Sequence, residues 1–324
     1  MIKILLHLWL LLILSPGIAQ VIPPAAKSQS NYFHVLVASS TKDRQKMIAE
    51  AQALPGKMGA GAIRWAGLPI MPIPMNNEII DEQLPAPRFR VLVLYENGGH
   101  HIEYSKRAMI WLNKLAADSN FRIDYMTNTD SMNEASLSDY RLIIQLDYAP
   151  YAWKPAAVTA FQNYIEQGKG GWIGFHHASL LGEFDGYPMW QWFSNFMGGI
   201  RWKNYIASFA RATVHVEDRL SPIMKGVPDS FVVQKEEWYT YDKSPRPKVH
   251  VIASVDEASY RPDTTIKMGD HPVIWSNEKM KARNVYIFMG HSPVLFEDSV
   301  YKRIFRNAIF WAAEKPKPEL ACCP

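Results

Sequence analysis

From Arg88 onward, short β-rich apolar runs alternate with stretches whose apolar residues recur at helical spacing, and this alternation constrains the fold most. Phe89 to Tyr95 reads as a strand. The glycines and histidines after it lead into a helix with Ala108, Trp111, Leu112 and Leu115 on one face, at i, i+3, i+4 and i+7. Phe121 to Met126 and Leu142 to Leu146 supply two more strands. Pro155 then opens a helix carrying Val158, Phe161 and Ile165 on one side, and Gly168 ends it. The run Gly170-Gly171-Trp172-Ile173-Gly174-Phe175 follows as a buried strand. Strands that alternate with amphipathic helices imply right-handed crossovers, so the expected fold is α/β, a mostly parallel sheet with helices on both faces. Beyond residue 180 the order loosens. Trp190, Trp192, Phe193 and Phe196 suggest a short aromatic helix, and Ala210 to Val216, Val249 to Ser254 and Val285 to Met289 have strand composition. A last helix buries Tyr301, Ile304, Phe305, Ala308 and Ala312 before Pro316.

The chain ends read differently. Lys3, the apolar run Ile4 to Leu14 and the small residues up to Ala19 have the form of a secretory signal, too short to span a bilayer comfortably. A secreted or periplasmic protein is expected, with no membrane span once residues 1–19 are removed. Residues 20–87 read as an N-terminal extension and linker punctuated by Pro69, Pro72 and Pro74, residues 88–314 as the α/β domain, and 315–324 as a disordered tail. The formal charge of +4 drops by one with Lys3 and is spread without a basic run, so no nucleic-acid partner is expected. The only cysteines are the neighbours Cys322 and Cys323, which excludes a cysteine nucleophile in the domain. Nothing here specifies an oligomeric state.

Chemistry is concentrated at strand ends. In an open parallel sheet ligands bind outside the carboxyl ends of the strands, and three such ends carry imidazole: His100-His101, His176-His177 and His291. On a strand successive side chains face opposite ways, so one member of each pair is expected to face a given cleft. Glu237, in Lys235-Glu236-Glu237-Trp238-Tyr239, is the strongest acidic candidate, and Asp147 ends the third strand. No zinc motif with two ligands on one local turn occurs. His100 or His101, His176, His291 and Glu237 could nevertheless meet by folding in a three-nitrogen, one-oxygen set for a divalent metal, so acid/base and metal-assisted chemistry both remain open. The glycines at 168–171 precede their strand, which rules out a dinucleotide fingerprint, and Ser179 lacks the flanking glycines of a hydrolase elbow.

Taken in order, Gly98-Gly99-His100-His101, the Gly-Gly-x-x-Gly-x-His run ending at His176, Glu237-Trp238-Tyr239, Pro272-Val273-Ile274-Trp275 and Asn284 to His291 resemble the ThuA-like (trehalose utilisation) family. The resemblance runs from about Arg88 to Glu314. It implies a flavodoxin-like fold of the class I glutamine amidotransferase-like superfamily. It also favours His176 over His177 as the elbow histidine and supports Glu237 and His291. The His-Pro pair common in the family appears here as Ser221-Pro222, and the elbow cysteine of amidotransferases is absent, so glutaminase activity is not expected.

Three functions follow as expectations. The first is an exported enzyme acting on a glycoside or keto-sugar of the trehalose type. Its catalytic residues would be His176, Glu237 and His291, and its substrate-binding residues His100, His101, His177, Trp190, Trp238 and Tyr239. The second is a non-catalytic carbohydrate-binding module whose tryptophans stack on sugar. The third is a structural partner in a surface complex that uses the N-terminal extension.

Overall fold

The computed structural model describes residues 86–314. The expected signal peptide, the tail and all but the last residues of the expected extension lie outside this range. The chain runs from β1 (Arg90–Tyr95) into α1 (Ile102–Ser119), then through β2 (Arg122–Met126), α2 (Glu134–Leu137), β3 (Leu142–Leu146), α3 (Pro155–Glu166) and β4 (Gly171–Phe175). After α4 (Gln191–Phe196) come β5 (Trp202–Tyr205), β6 (Ala210–Val216), β7 (Ser230–Glu236), β8 (Tyr239–Tyr241), β9 (His250–Arg261), β10 (Pro272–Ser276) and β11 (Asn284–Ile287), and α5 (Ser299–Ala313) closes the fold.

Nine strands form one sheet in the order β2-β1-β3-β4-β11-β10-β9-β6-β7. The five strands from β2 to β11 are mutually parallel. All residues of β3 and β4 are buried, as expected where helices cover both faces of a parallel sheet. α5 lies directly against β4: a Cβ on Gly171 would come 2.2 Å from the Ala312 carbonyl oxygen, so only glycine allows this contact. Its first turn is capped by Asp298, whose carboxylate accepts from the Val300 and Tyr301 amides.

From β11 outward the sheet turns antiparallel, through β10, β9, β6 and β7. This wing is half-exposed and alternates accordingly, as in β6, where Ala210, Ala212 and Val214 are buried and Arg211 and His215 are not. β5 and β8 form a separate two-stranded ribbon. Because β1, β3, β4 and β11 are parallel neighbours, their carboxyl ends share one edge, which brings residues 96–101, 147, 176–177 and 290–291 together. No described helix is long and apolar enough to cross a membrane.

Candidate metal centre and cleft

The three imidazole-bearing strand ends converge. His101 closes the 3-10 turn between β1 and α1, His176 opens the 3-10 turn after β4, and His291 follows β11. Glu237 arrives from the other side, between β7 and β8. His291 Nδ1 lies 3.0 Å from His101 Nε2, 3.4 Å from His176 Nε2 and 3.2 Å from Glu237 Oε2. His176 Nε2 is also 3.4 Å from Glu237 Oε2. A ring nitrogen offers either one N–H or one lone pair, so hydrogen bonding alone cannot pair His291 Nδ1 with all three neighbours. Four donors on a tetrahedral ion with bonds of ~2.0–2.1 Å would lie ~3.3–3.4 Å apart, close to these separations. All four donor atoms fall within 4.8 Å of one another.

The protonation states suit ligation. Burial drives the His176 imidazole well below its usual range. It also lowers His101 to about 4, against the opposing pull of Glu96. Burial alone would raise Glu237, but hydrogen bonds with His176 and His291 outweigh it and hold the carboxylate well below its usual range. Near neutral pH His101 and His176 are therefore neutral and Glu237 is a carboxylate, the forms that bind a divalent ion.

Supporting contacts fix these side chains. Glu96, immediately after β1, has Oε2 3.1 Å from His177 Nδ1 and 3.6 Å from His101 Nδ1. Burial pushes Glu96 up, but the two histidines dominate and hold it at about 2. The Glu96 carboxylate stands behind His101 Nδ1 just beyond hydrogen-bond distance, and Nε2 of His101 faces the centre, an approach to the usual supporting arrangement for ligating histidine. His176 has a φ of +36°, a strained value for a non-glycine residue. Its carbonyl is held by the Ser179 hydroxyl at 2.9 Å and the Tyr286 hydroxyl at 3.1 Å. Ser179 is thus a buried anchor for the turn. Glu236 is wholly buried and accepts from the backbone amides of Glu237, Gly290 and His291, which ties the end of β7 to the end of β11. Burial pushes its carboxyl up to about 8. Asp147, with φ of +50°, is buried behind the centre, its oxygens unpartnered beyond a weak approach from the His177 amide. Burial, then the nearby Glu236, raises its pKa well above the carboxylate range.

A cleft of about 450 Å³ opens above the centre. His100, His101, His177, His291, Glu237 and Tyr239 line it, while His176 lies beneath with no exposed surface. Both members of the first pair border the cleft because 3-10 turns at these strand ends replace the strict alternation expected. Two expected binding residues are placed elsewhere. Trp238 is fully buried, stacks on Phe288 with 5.3 Å between centroids and donates its Nε1–H to the Ala210 carbonyl. Trp190 packs on Trp153 and Phe193 beside α3 and α4 and does not line the cleft. Neither can stack on a ligand there; both are packing residues. Sequence reasoning missed Glu96, Trp202, Tyr205 and Phe209, all of which line the cleft. Glu96 was discoverable by the criterion applied to Asp147, an acid at a strand end.

The described residues thus define an α/β protein of flavodoxin-like type with a histidine–carboxylate centre at the carboxyl edge of its sheet. The ThuA family model, described as trehalose utilisation, matches residues 90–312, and the chain belongs to that family. A protein described as ThuA-like from Bacteroides uniformis is 31% identical, with a TM-score of 0.65 over 72% of this chain and 95% of its own. Another described as ThuA-like, from Parabacteroides merdae, shares the fold at 14% identity, with a TM-score of 0.53 over 70% and 90% of the two chains. No curated protein matches.

Proposed function

We propose that this chain is a divalent-metal-dependent enzyme of carbohydrate utilisation that acts on a keto-sugar or glycoside of the trehalose type. The observation that carries this reading is the spacing of His101 Nε2, His176 Nε2, His291 Nδ1 and Glu237 Oε2 at ligand-to-ligand distances on the floor of an open cleft. Membership in a family described as trehalose utilisation supports the substrate class. The N-terminal signal pattern supports action outside the cytoplasm. An ion held by these four side chains would act as a Lewis acid toward a sugar carbonyl or hydroxyl oxygen by taking that oxygen as an added ligand. Glu96 would keep His101 in the ligating tautomer and orient His177 at the cleft wall, and Glu236 would hold Glu237 and His291 in register.

The test is consumption of disaccharides and their keto derivatives by untagged protein. Turnover of at least one member should vanish after treatment with a chelator and return on adding one divalent ion such as zinc or manganese. Metal-free protein with full turnover would overturn the metal reading. Protein that binds several members and consumes none would leave a carbohydrate-binding module instead.

A further inference from the structure

The cleft has a wall that metal chemistry does not use. Trp202 and Tyr205, from β5, and Phe209 beyond it line the cleft together with Tyr239. On a regular strand residues 202 and 205 would face opposite ways. Here Trp202 and Asn204 pair with the consecutive residues Tyr241 and Thr240, so the strand carries an extra residue at Lys203. That bulge brings the Trp202 and Tyr205 rings to one side, 6.2 Å apart. Tyr205 and Phe209 leave 40% and 37% of their surfaces exposed beside the cleft, where a ligand could cover them.

The rings also form a continuous path. Inward, Trp202 lies 6.1 Å from Tyr239, which lies 4.3 Å from the His176 ring. Outward, Trp202 lies 6.0 Å from Phe184, and Phe184 lies 5.6 Å from Tyr151. The carboxylates of Glu96 and Glu237 also line the cleft, and among the described residues no lysine or arginine does. Lys235 sits against the Phe209 ring, 4.8 Å from its centroid, outside the lining. Away from the ion proposed above, the aromatic wall offers no cationic side chain to a phosphate or carboxylate on a second ring. Aromatic faces beside hydrogen-bond acceptors instead suit a neutral ring with a C–H face and hydroxyl edges. The cleft's volume is in the lower part of the ~300–1,000 Å³ range of small-molecule sites, room for about two sugar rings.

We propose that Trp202, Tyr205 and Phe209 form a stacking subsite that holds the second ring of a neutral disaccharide or longer saccharide while the first ring meets the histidine centre. The subsite rests on the function proposed above and makes it specific: the preferred ligand has at least two rings, the second uncharged.

Calorimetric titration of the full protein, zinc-loaded and chelator-treated, with trehalose, maltose, glucose and glucose 6-phosphate tests it. At least one disaccharide should bind about tenfold or more tightly than glucose, the scale of one good aromatic contact. Trp202→Ala and Tyr205→Ala should remove most of that difference without changing zinc content, and Trp202→Phe should retain much of it. Phe209→Ala, at an exposed position, provides the same readout if Trp202→Ala fails to fold. Equal affinity for disaccharides and glucose, or preference for the sugar phosphate in chelator-treated protein, would overturn the subsite. A disaccharide preference that depends on Trp202 in protein unable to bind zinc would support the subsite while removing the metal reading.

Discussion

His291 is the residue on which the centre depends most, because its Nδ1 is within 3.4 Å of the other three donor atoms. His291→Ala should therefore lose bound metal while the fold survives, as checked by elemental analysis beside circular dichroism. Glu237→Gln keeps the size of the side chain but removes its charge, and turnover should fall by about a hundredfold or more. His101 carries a pH signature. Its pKa is about 4 in the folded chain against an ordinary value near 6.5, so between these values the unfolded chain binds a proton that the native one does not. In chelator-treated protein the contribution is intact above about pH 6.5 and is lost as pH falls toward 4, by up to about 1.4 kcal/mol per pH unit for each such group. Urea midpoints measured from pH 8 to 5 should show this slope, and His101→Asn should lessen it while His176 keeps its own share. A pH-independent midpoint would contradict the buried neutral imidazole. Gly290→Ala tests the packing behind the centre, since its Cβ would approach both Asp147 Oδ1 and the His176 Cβ to 2.9 Å. A loss of about 1–3 kcal/mol, with weakened metal binding, is expected.

Elements differ in how plainly the chain announced them. β1, β3 and β4 are buried on both faces and were legible as apolar runs set between glycines and amphipathic helices. The antiparallel wing was only partly legible: β6 and part of β9 had strand composition, but pairing direction leaves no trace in composition. β5 and β8 span four and three residues, too short for any period to register. The site shows the same division. Imidazoles at strand ends pointed to one edge of the sheet, and His176, His291 and Glu237 meet there. Which of His100 and His101 reaches the centre depended on a 3-10 turn that a strand rule does not anticipate. Trp238 and Trp202 are equally aromatic in sequence, yet one is buried against Phe288 and the other lines the cleft, a distinction made by the β5–β8 ribbon. A direct check on element packing is Gly171→Ala, whose methyl would meet the backbone of α5 and should cost about 3 kcal/mol or more in chemical denaturation.

Across the whole molecule, a parallel sheet collects residues from distant parts of the chain along one edge, and the antiparallel wing adds Glu237 from the opposite side. The four donor atoms come from segments that span residues 101 to 291, so an ion bound there would tie these segments together only in the folded state. Such a ligand stabilises by mass action, by about 2.7 kcal/mol when free ion is a hundred times Kd. For a domain of this size that is a Tm rise of roughly 5–10 °C, which a chelator should reverse in the wild-type protein and should not change in His291→Ala. The most direct measurement is the metal content of untagged protein after incubation with excess zinc and removal of free ion. One ion per chain in the wild type and a small fraction of that in His291→Ala is the expected result. Wild-type protein without bound metal, or equal content in the two proteins, would contradict a metal centre at His101, His176, Glu237 and His291.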